Sequence, residues 1–116
     1  MSESNKSDIV LSIELDAQKV PDKITWHATS GPDNTPSEAK AVLLSIFDKD
    51  HKDTLKFDIW TKEMQVQEMD RMVYYTLRGI CDSYLRATGN KELASDMQQF
   101  VAHFGLKTEI LKKEDI

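Results

Sequence analysis

The spacing of the apolar residues changes near Thr61, and this change constrains the fold more than any other feature of the chain. Before Thr61 apolar residues alternate with polar ones, as in Ile9, Leu11 and Ile13. After Thr61 they recur every three or four residues. The first pattern is typical of a strand with one buried face, and the second of an amphipathic helix. The sequence therefore predicts strands first and helices second.

Four strands are expected before Thr61. The first covers residues 9–15 and the second residues 24–28, and the third and fourth form an antiparallel hairpin over residues 39–60. The charged segment DKDHKD at residues 48–53 supplies the turn of this hairpin. Residues 30–38, SGPDNTPSE, are rich in turn-forming residues and predict a loop.

Two helices are expected after Thr61. The first carries an apolar stripe and ends at Gly89; the second begins with Asn90 as its N-cap and stops near Gly105. The stripe of the first helix consists of Val66, Met69, Val73, Leu77, Ile80 and Tyr84. The order β-β-β-β-α-α predicts an α+β fold, in which two C-terminal helices pack on one face of a four-stranded antiparallel sheet.

The length of 116 residues indicates a single domain over 1–116, with flexible tails at 1–7 and about 107–116. For the second tail, a last packed turn or strand is an open alternative. No apolar run approaches the ~18 residues of a membrane helix, and the first residues lack the apolar core of a secretion signal, so we expect a cytoplasmic protein without membrane insertion. The net charge of −5 argues against nucleic acid as a partner.

No motif in the sequence predicts a catalytic, cofactor or metal site, and we expect a protein that is not an enzyme. The acidic segment 48–53 fails as a calcium loop, because Asp53 and Ile59 stand where such a loop needs Gly and Glu. The three histidines are scattered, without the spacing of a metal site. Cys81 lies in the middle of the first helix, where nothing in the sequence activates a thiol.

The third strand predicts the first candidate binding surface, because it is apolar on both faces. If the helices cover one face, the other presents an apolar patch, made of Val42, Leu44, Ile46 and Trp60. Burial of this patch by the chain's own loops or tail is one alternative. Burial by a protein partner or by a second copy of the chain is the other.

The outer face of the first helix is the second candidate binding surface. It carries residue types that are enriched among binding hot spots, with Tyr74 on its border and with Arg71, Tyr75, Arg78 and Arg86 as its predicted contacts. Asp82 lies on the same face. Because Arg78, Asp82 and Arg86 are four residues apart, ion pairing on a solvated helix face is an equally ordinary explanation.

Three segments carry a resemblance to a known family: KVPDKITWHA at 19–28, KAVLLSIFDKDHKDTLKFDIWTKEM at 40–64 and VQEMDRMVYYTLRGICDSYLRAT at 66–88. They resemble the gliding motility-associated protein GldC, over roughly residues 8–105. The sequence departs from the family at Gln65, where a Pro is expected, and in a longer loop at 30–38. The resemblance implies an accessory role in gliding, without an assigned reaction, cofactor or binding residue.

The leading functional hypothesis is therefore a cytoplasmic, non-enzymatic protein-interaction module. It would bind a protein of the gliding or secretion machinery, or itself. One alternative is a holdase-like or export-targeting chaperone that uses the same apolar face. Another is a small-ligand-binding protein whose pocket is lined by residues such as Trp26, Tyr74, Tyr84 and Cys81.

Overall fold

A computed structural model describes residues 5–30 and 35–112. The chain divides into two compact units, Met1–Met64 and Gln65–Ile116, which we call the strand unit and the helical unit. The α+β class is confirmed, with antiparallel strands followed by two helices. The elements are β1 (Ile9–Leu15), β2 (Pro21–Ala28), β3 (Ser37–Ala39), β4 (Ala41–Phe47), β5 (Thr54–Trp60), α1 (Val66–Thr88) and α2 (Lys91–Lys107).

The described strands form two antiparallel sheets, β1-β2-β3 and β4-β5, where the sequence predicted one sheet of four strands. The difference arises at Lys40, which separates β3 from β4. On one side of Lys40, Ala39 pairs with Ile24 of β2; on the other, Ala41 pairs with Trp60 of β5. The buried Thr61 fixes this break, because its backbone N–H donates to the Lys40 carbonyl oxygen at 2.8 Å.

Part of the predicted loop over residues 30–38 is strand, because Ser37 and Glu38 pair with β2. Residues 31–34 of that loop lie outside the described residues. The predicted hairpin over 39–60 is confirmed over residues 41–60, where β4 and β5 pair along their whole length.

Aspartate side chains shape the tight connections of the strand unit. After β1, one oxygen of Asp16 accepts the backbone N–H groups of Gln18 and Val20 at 2.9 and 3.0 Å, and the other oxygen lies 2.5 Å from the Lys62 ammonium. The bond from Lys62 and the two backbone bonds lower the pKa of Asp16. Asp16 therefore ties the β1–β2 turn to the segment that follows β5.

The turn between β4 and β5 uses Asp48 in the same way. Its carboxylate accepts the backbone N–H of His51 at 2.7 Å and lies 2.9 Å from the Nδ1 atom of the same residue. These bonds lower the pKa of Asp48, with the backbone bond as the larger cause. The acidic segment thus serves to close a hairpin.

The residues of α1 that are buried against α2 differ from the predicted apolar stripe. The buried residues of α1 are Tyr74 and Cys81, and those of α2 are Ala94, Val101 and Gly105. The stripe prediction was wrong at Val66 and Ile80, which are 78% and 50% exposed. The remaining stripe residues are half-buried.

The two predicted helix boundaries at residues 89 and 90 are confirmed. Gly89 has φ 70°, the left-handed conformation that glycine adopts without strain, and its N–H donates to the Leu85 carbonyl oxygen. The Asn90 side chain accepts the Leu93 N–H at 3.1 Å and caps α2.

The prediction that α2 stops near Gly105 is confirmed to within two residues, because α2 ends at Lys107. Gly105 is buried inside α2, and the chain turns back so that the Leu111 N–H donates to the Gly105 carbonyl oxygen at 2.9 Å. A Cβ atom at Gly105 would lie 2.7 Å from side-chain atoms of Tyr74 and Leu111. Glycine is therefore required here for close packing.

Three predictions about the whole chain stay predictions: that residues 1–116 form one domain, that the ends of the chain are flexible, and that the helices cover one face of the sheet.

Candidate functional site

The strand unit contains an open apolar cavity of about 190 Å³. Residues of β1, β4 and β5 form its walls: Leu11, Ile13, Val42, Leu44, Phe57 and Ile59. We call this cavity, together with the apolar residues on the same strand faces, the apolar cleft. Each wall follows from the alternating sequence pattern, because residues two apart on a strand point to the same side.

The register of β4 and β5 builds one wall from directly opposed apolar pairs. Residues opposite each other in an antiparallel pair project on the same side. The three pairs on the cleft side are Val42 with Ile59, Leu44 with Phe57, and Ile46 with Leu55. Three consecutive apolar pairs make this wall free of polar side chains.

The register of β1 and β2 builds the other wall. Leu11 lies opposite Trp26 and Ile13 opposite Ile24, so these side chains share a face. Ile24 is fully buried and anchors the wall, whereas Trp26 is 44% exposed. Ile9 and Leu15 lie on the same face by alternation.

The faces opposite the cleft carry charged residues of these strands. On the β4–β5 hairpin, Lys56 lies opposite Ser45 and makes an ion pair with Asp58 at 3.4 Å. On the first sheet, Glu14 lies opposite Lys23. The cleft lining therefore carries no ionisable group.

Part of the β4–β5 wall of the cleft is exposed to solvent. Leu55 and Phe57 are 52% and 51% exposed, and Ile46 is 45% exposed, whereas Val42 and Leu44 are half-buried. The described loops of the chain therefore leave much of the predicted patch open to solvent.

Trp60 does not belong to this patch, which corrects the predicted grouping. Its cross-strand partner is Ala41, which points to the side opposite Val42, Leu44 and Ile46. Trp60 shares this second side with Leu43 and Phe47 and is 53% exposed. A role of Trp60 in binding stays a prediction.

Sequence reasoning missed four members of the cleft lining, namely Leu11, Ile13, Phe57 and Ile59. All four had been placed on strand faces by alternation. Alternation shows which residues share a face of one strand. It does not show which strands line the same cavity, because that depends on the register of pairing between strands.

On the helical unit, Arg71 and Tyr75 form one contact of the predicted outer surface. The Arg71 guanidinium carbon lies 5.1 Å from the centre of the Tyr75 ring, which is cation–π distance. Both residues are exposed, and the neighbouring Tyr74 ring meets Tyr75 edge-on at 5.0 Å.

Arg78 and Asp82 line a second cavity, of about 320 Å³, whose other lining residues come from α1, α2 and the turn after α2: Tyr74, Cys81, Gln98, Val101, Ala102 and Leu111. Among the described residues no ion pair joins Arg78, Asp82 and Arg86. Arg86 lies exposed in the last turn of α1.

Of the residues suggested for a ligand pocket, Tyr74 and Cys81 line this second cavity, and Tyr84 and Trp26 do not. The Cys81 thiol is buried and donates to the Ala94 carbonyl oxygen at 3.3 Å, a structural contact between the helices. Over residues 5–30 and 35–112, no three His, Cys, Asp or Glu side chains are grouped so that they could hold a metal ion.

The fold and the cleft define a class of small α+β protein whose main surface feature is an exposed apolar face. Such faces are often sites of protein association. The family model described as gliding motility-associated protein GldC-like matches residues 21–110. The chain therefore belongs to the GldC-like family, which confirms the resemblance and associates the protein with gliding motility.

No curated protein and no solved structure gives a significant match to the chain. In the described part of the chain, neither helix combines the length and the apolar character that crossing a bilayer requires.

Proposed function

We propose that this protein is a cytoplasmic, non-enzymatic interaction module of gliding motility, and that the apolar cleft binds a folded protein subunit. The family supports the process. The cleft supports the mechanism, and its exposed apolar wall is the single observation that carries the proposal.

The physical reason is the cost of leaving this wall in water. Transfer of apolar surface out of water is worth about 25 cal/mol per Å². Phe57 and Leu55 each keep about half of their surface exposed, beside the partly exposed Ile46. Covering such adjacent side chains with protein stabilises a complex, and water is released from both surfaces.

The chemistry of the lining favours binding over catalysis. Its six residues offer no nucleophile, acid, base or metal ligand. Small-molecule sites combine apolar walls with a few placed polar groups that fix the ligand's orientation. The cleft has the walls without those groups, which suits the apolar core of a protein interface.

Arg71 and Tyr75 are proposed as an additional contact on the helical unit. The guanidinium is already held over the ring, so less side-chain freedom is lost when it binds. Arg78 and Arg86 add positive charge on the same helix. This surface suits a partner that presents carboxylates.

Complementation of gliding tests the proposal, in a gliding strain whose own copy of the gene is deleted. Phe57→Asp places a charge in the cleft, and Phe47→Asp makes the same change on the other side of the same hairpin, at a residue that is also exposed. We expect the strain carrying Phe57→Asp to lose spreading on a surface, and the strain carrying Phe47→Asp to keep it.

Equal spreading of both strains, at equal protein levels, would show that the cleft is not used in gliding. A holdase-like chaperone would use the same face, and it would differ in suppressing the aggregation of unrelated unfolded proteins, which a specific subunit does not do.

A further inference from the structure

We infer that the subunit bound at the apolar cleft is a second copy of this chain, so that the protein is a symmetric homodimer. This inference rests on the proposed function of the cleft as a protein-binding surface. It adds the identity of the partner, for which three observations argue: the exposed area, the charge and the edge position of β1.

The exposed area of the cleft matches one half of a standard interface. Eight apolar residues on its faces are between 37% and 74% exposed: Ile9, Leu11, Ile13, Leu15, Trp26, Ile46, Leu55 and Phe57. At about 200 Å² for a fully exposed large apolar residue, these fractions correspond to about 800 Å². A stable specific complex buries about 800 Å² on each partner.

The negative net charge of the chain restricts where two copies can associate. Each copy carries a net charge of −5, so two copies repel each other where their charged surfaces meet. The six residues that line the cavity of the cleft include no ionisable group. Association through this lining therefore places no charged side chain at the centre of the interface.

The absence of charge at the centre of the cleft fits a second copy of the chain as the partner. Recognition between different proteins commonly uses complementary potentials, and this surface offers none. Homodimer interfaces, taken as a whole, are more apolar than interfaces between proteins that also exist apart. In a two-fold symmetric dimer the same patch serves both subunits.

The position of β1 at the edge of its sheet is a further reason to expect that a second subunit packs against this part of the chain. Among the described strands β1 pairs only with β2, so its other edge is unpaired. Its sequence IVLSIEL has no Pro or Lys, residues that commonly keep an exposed edge from pairing. All seven residues are exposed, although five of them are large and apolar. A second copy seated on the cleft covers the side chains of Leu11 and Ile13 of β1, which belong to the lining.

Sedimentation velocity and light scattering on the full chain, over a range of concentrations, test the inference. We expect the wild type to have twice the monomer mass of 13.3 kDa. Phe57→Asp should raise the dissociation constant at least about 30-fold, as expected for a residue at the centre of an interface. The matched variant Phe47→Asp should remain a dimer.

Ile46→Glu is a second cleft variant, for the case in which Phe57→Asp fails to fold. Ile46 lies at the exposed end of the β4–β5 wall, so a charge there costs little in the folded monomer. It should also weaken the dimer, with an unchanged circular dichroism spectrum.

A wild-type chain that stays monomeric at all concentrations overturns the inference, and so does a dimer that both cleft variants leave intact. The proposed function is judged separately. If the wild type is monomeric and Phe57→Asp still abolishes spreading, the cleft binds a different protein. If the wild type is a dimer and Phe57→Asp separates it without affecting spreading, self-association stands and the proposed role of the cleft in gliding does not.

Discussion

Two glycines in helix interiors allow the packing of the helical unit to be measured against an internal control. Gly79 lies in α1, and apart from its chain neighbours and the nearby backbone of its own helix, no described atom lies within 4 Å of a Cβ atom added there. Gly105 lies in α2, where an added Cβ would be 2.7 Å from the Tyr74 ring and from the Leu111 side chain. The substitution Gly→Ala therefore changes helix propensity at both sites and packing at only one.

The expected magnitudes follow from these contacts. Replacing an interior helical glycine by alanine gains about 1 kcal/mol of helix propensity. Gly79→Ala should therefore raise the free energy of unfolding by about 1 kcal/mol. At Gly105 the same gain is opposed by overpacking, which costs about 1–3 kcal/mol. The Tyr74 ring has little room to move, because it is only 4% exposed.

Thermal and urea unfolding, followed by circular dichroism at the helix band, measure the difference between the variants. We expect Gly105→Ala to be less stable than Gly79→Ala by about 1–3 kcal/mol, or roughly 4 °C in Tm for each kcal/mol. Equal stability of the two variants would refute the conclusion that Gly105 is required for the contact between Tyr74 and α2.

Three further predictions concern stability. Asn90→Ala removes the cap of α2 and should lower the free energy of unfolding by about 1 kcal/mol, whereas Asn90→Ser should restore most of it in the same urea titration. Asp16→Asn should destabilise the strand unit near neutral pH. Because the pKa of Asp16 is lowered from 3.8, its stabilising effect is present above that value and is lost as the pH falls through the lowered pKa, so the two proteins should converge in stability in acid. Finally, the predicted single domain should unfold in one transition that is coincident by tryptophan fluorescence and circular dichroism, because units of this size are marginal alone; two separate transitions would show independent units.

The order of strands and helices could be predicted from the sequence, because alternation and helical spacing are local patterns. The break at Lys40 could not. No Gly or Pro marks it, and it results from two different pairings on its two sides, of Ala39 with β2 and of Ala41 with β5. Pairing between strands is a long-range property that a single segment does not reveal.

The interior of the helical unit was mispredicted because hydrophobicity alone was used to choose the buried stripe. Ile80 is more apolar than its neighbour Cys81, yet Cys81 is buried and Ile80 is half exposed. The close approach of Tyr74 to Gly105 decides which line of α1 meets α2. The sequence signal for this approach is Gly105 within a helical pattern, a residue type that also commonly marks the end of a helix.

For the candidate site, the sequence located Val42, Leu44 and Ile46 on one strand face but placed Trp60 with them. Register explains both results. Alternation along one strand shows which of its residues share a face. Which residues of the partner strand lie on that same side depends on the register of pairing, which alternation does not give. Since Ala41 pairs with Trp60, Ile59 and Phe57 lie on the cleft side.

The most direct test of the cleft as a protein-binding surface is photo-crosslinking in living, gliding cells. A photoreactive amino acid at Ile46 faces the cleft, and the same amino acid at Phe47 faces the opposite side of β4. We expect a discrete crosslinked protein from position 46, with the mass of two copies of the chain if the dimer forms, and none of that mass from position 47. The same products from both positions, or none from position 46, would contradict the proposal that the cleft is covered by another subunit.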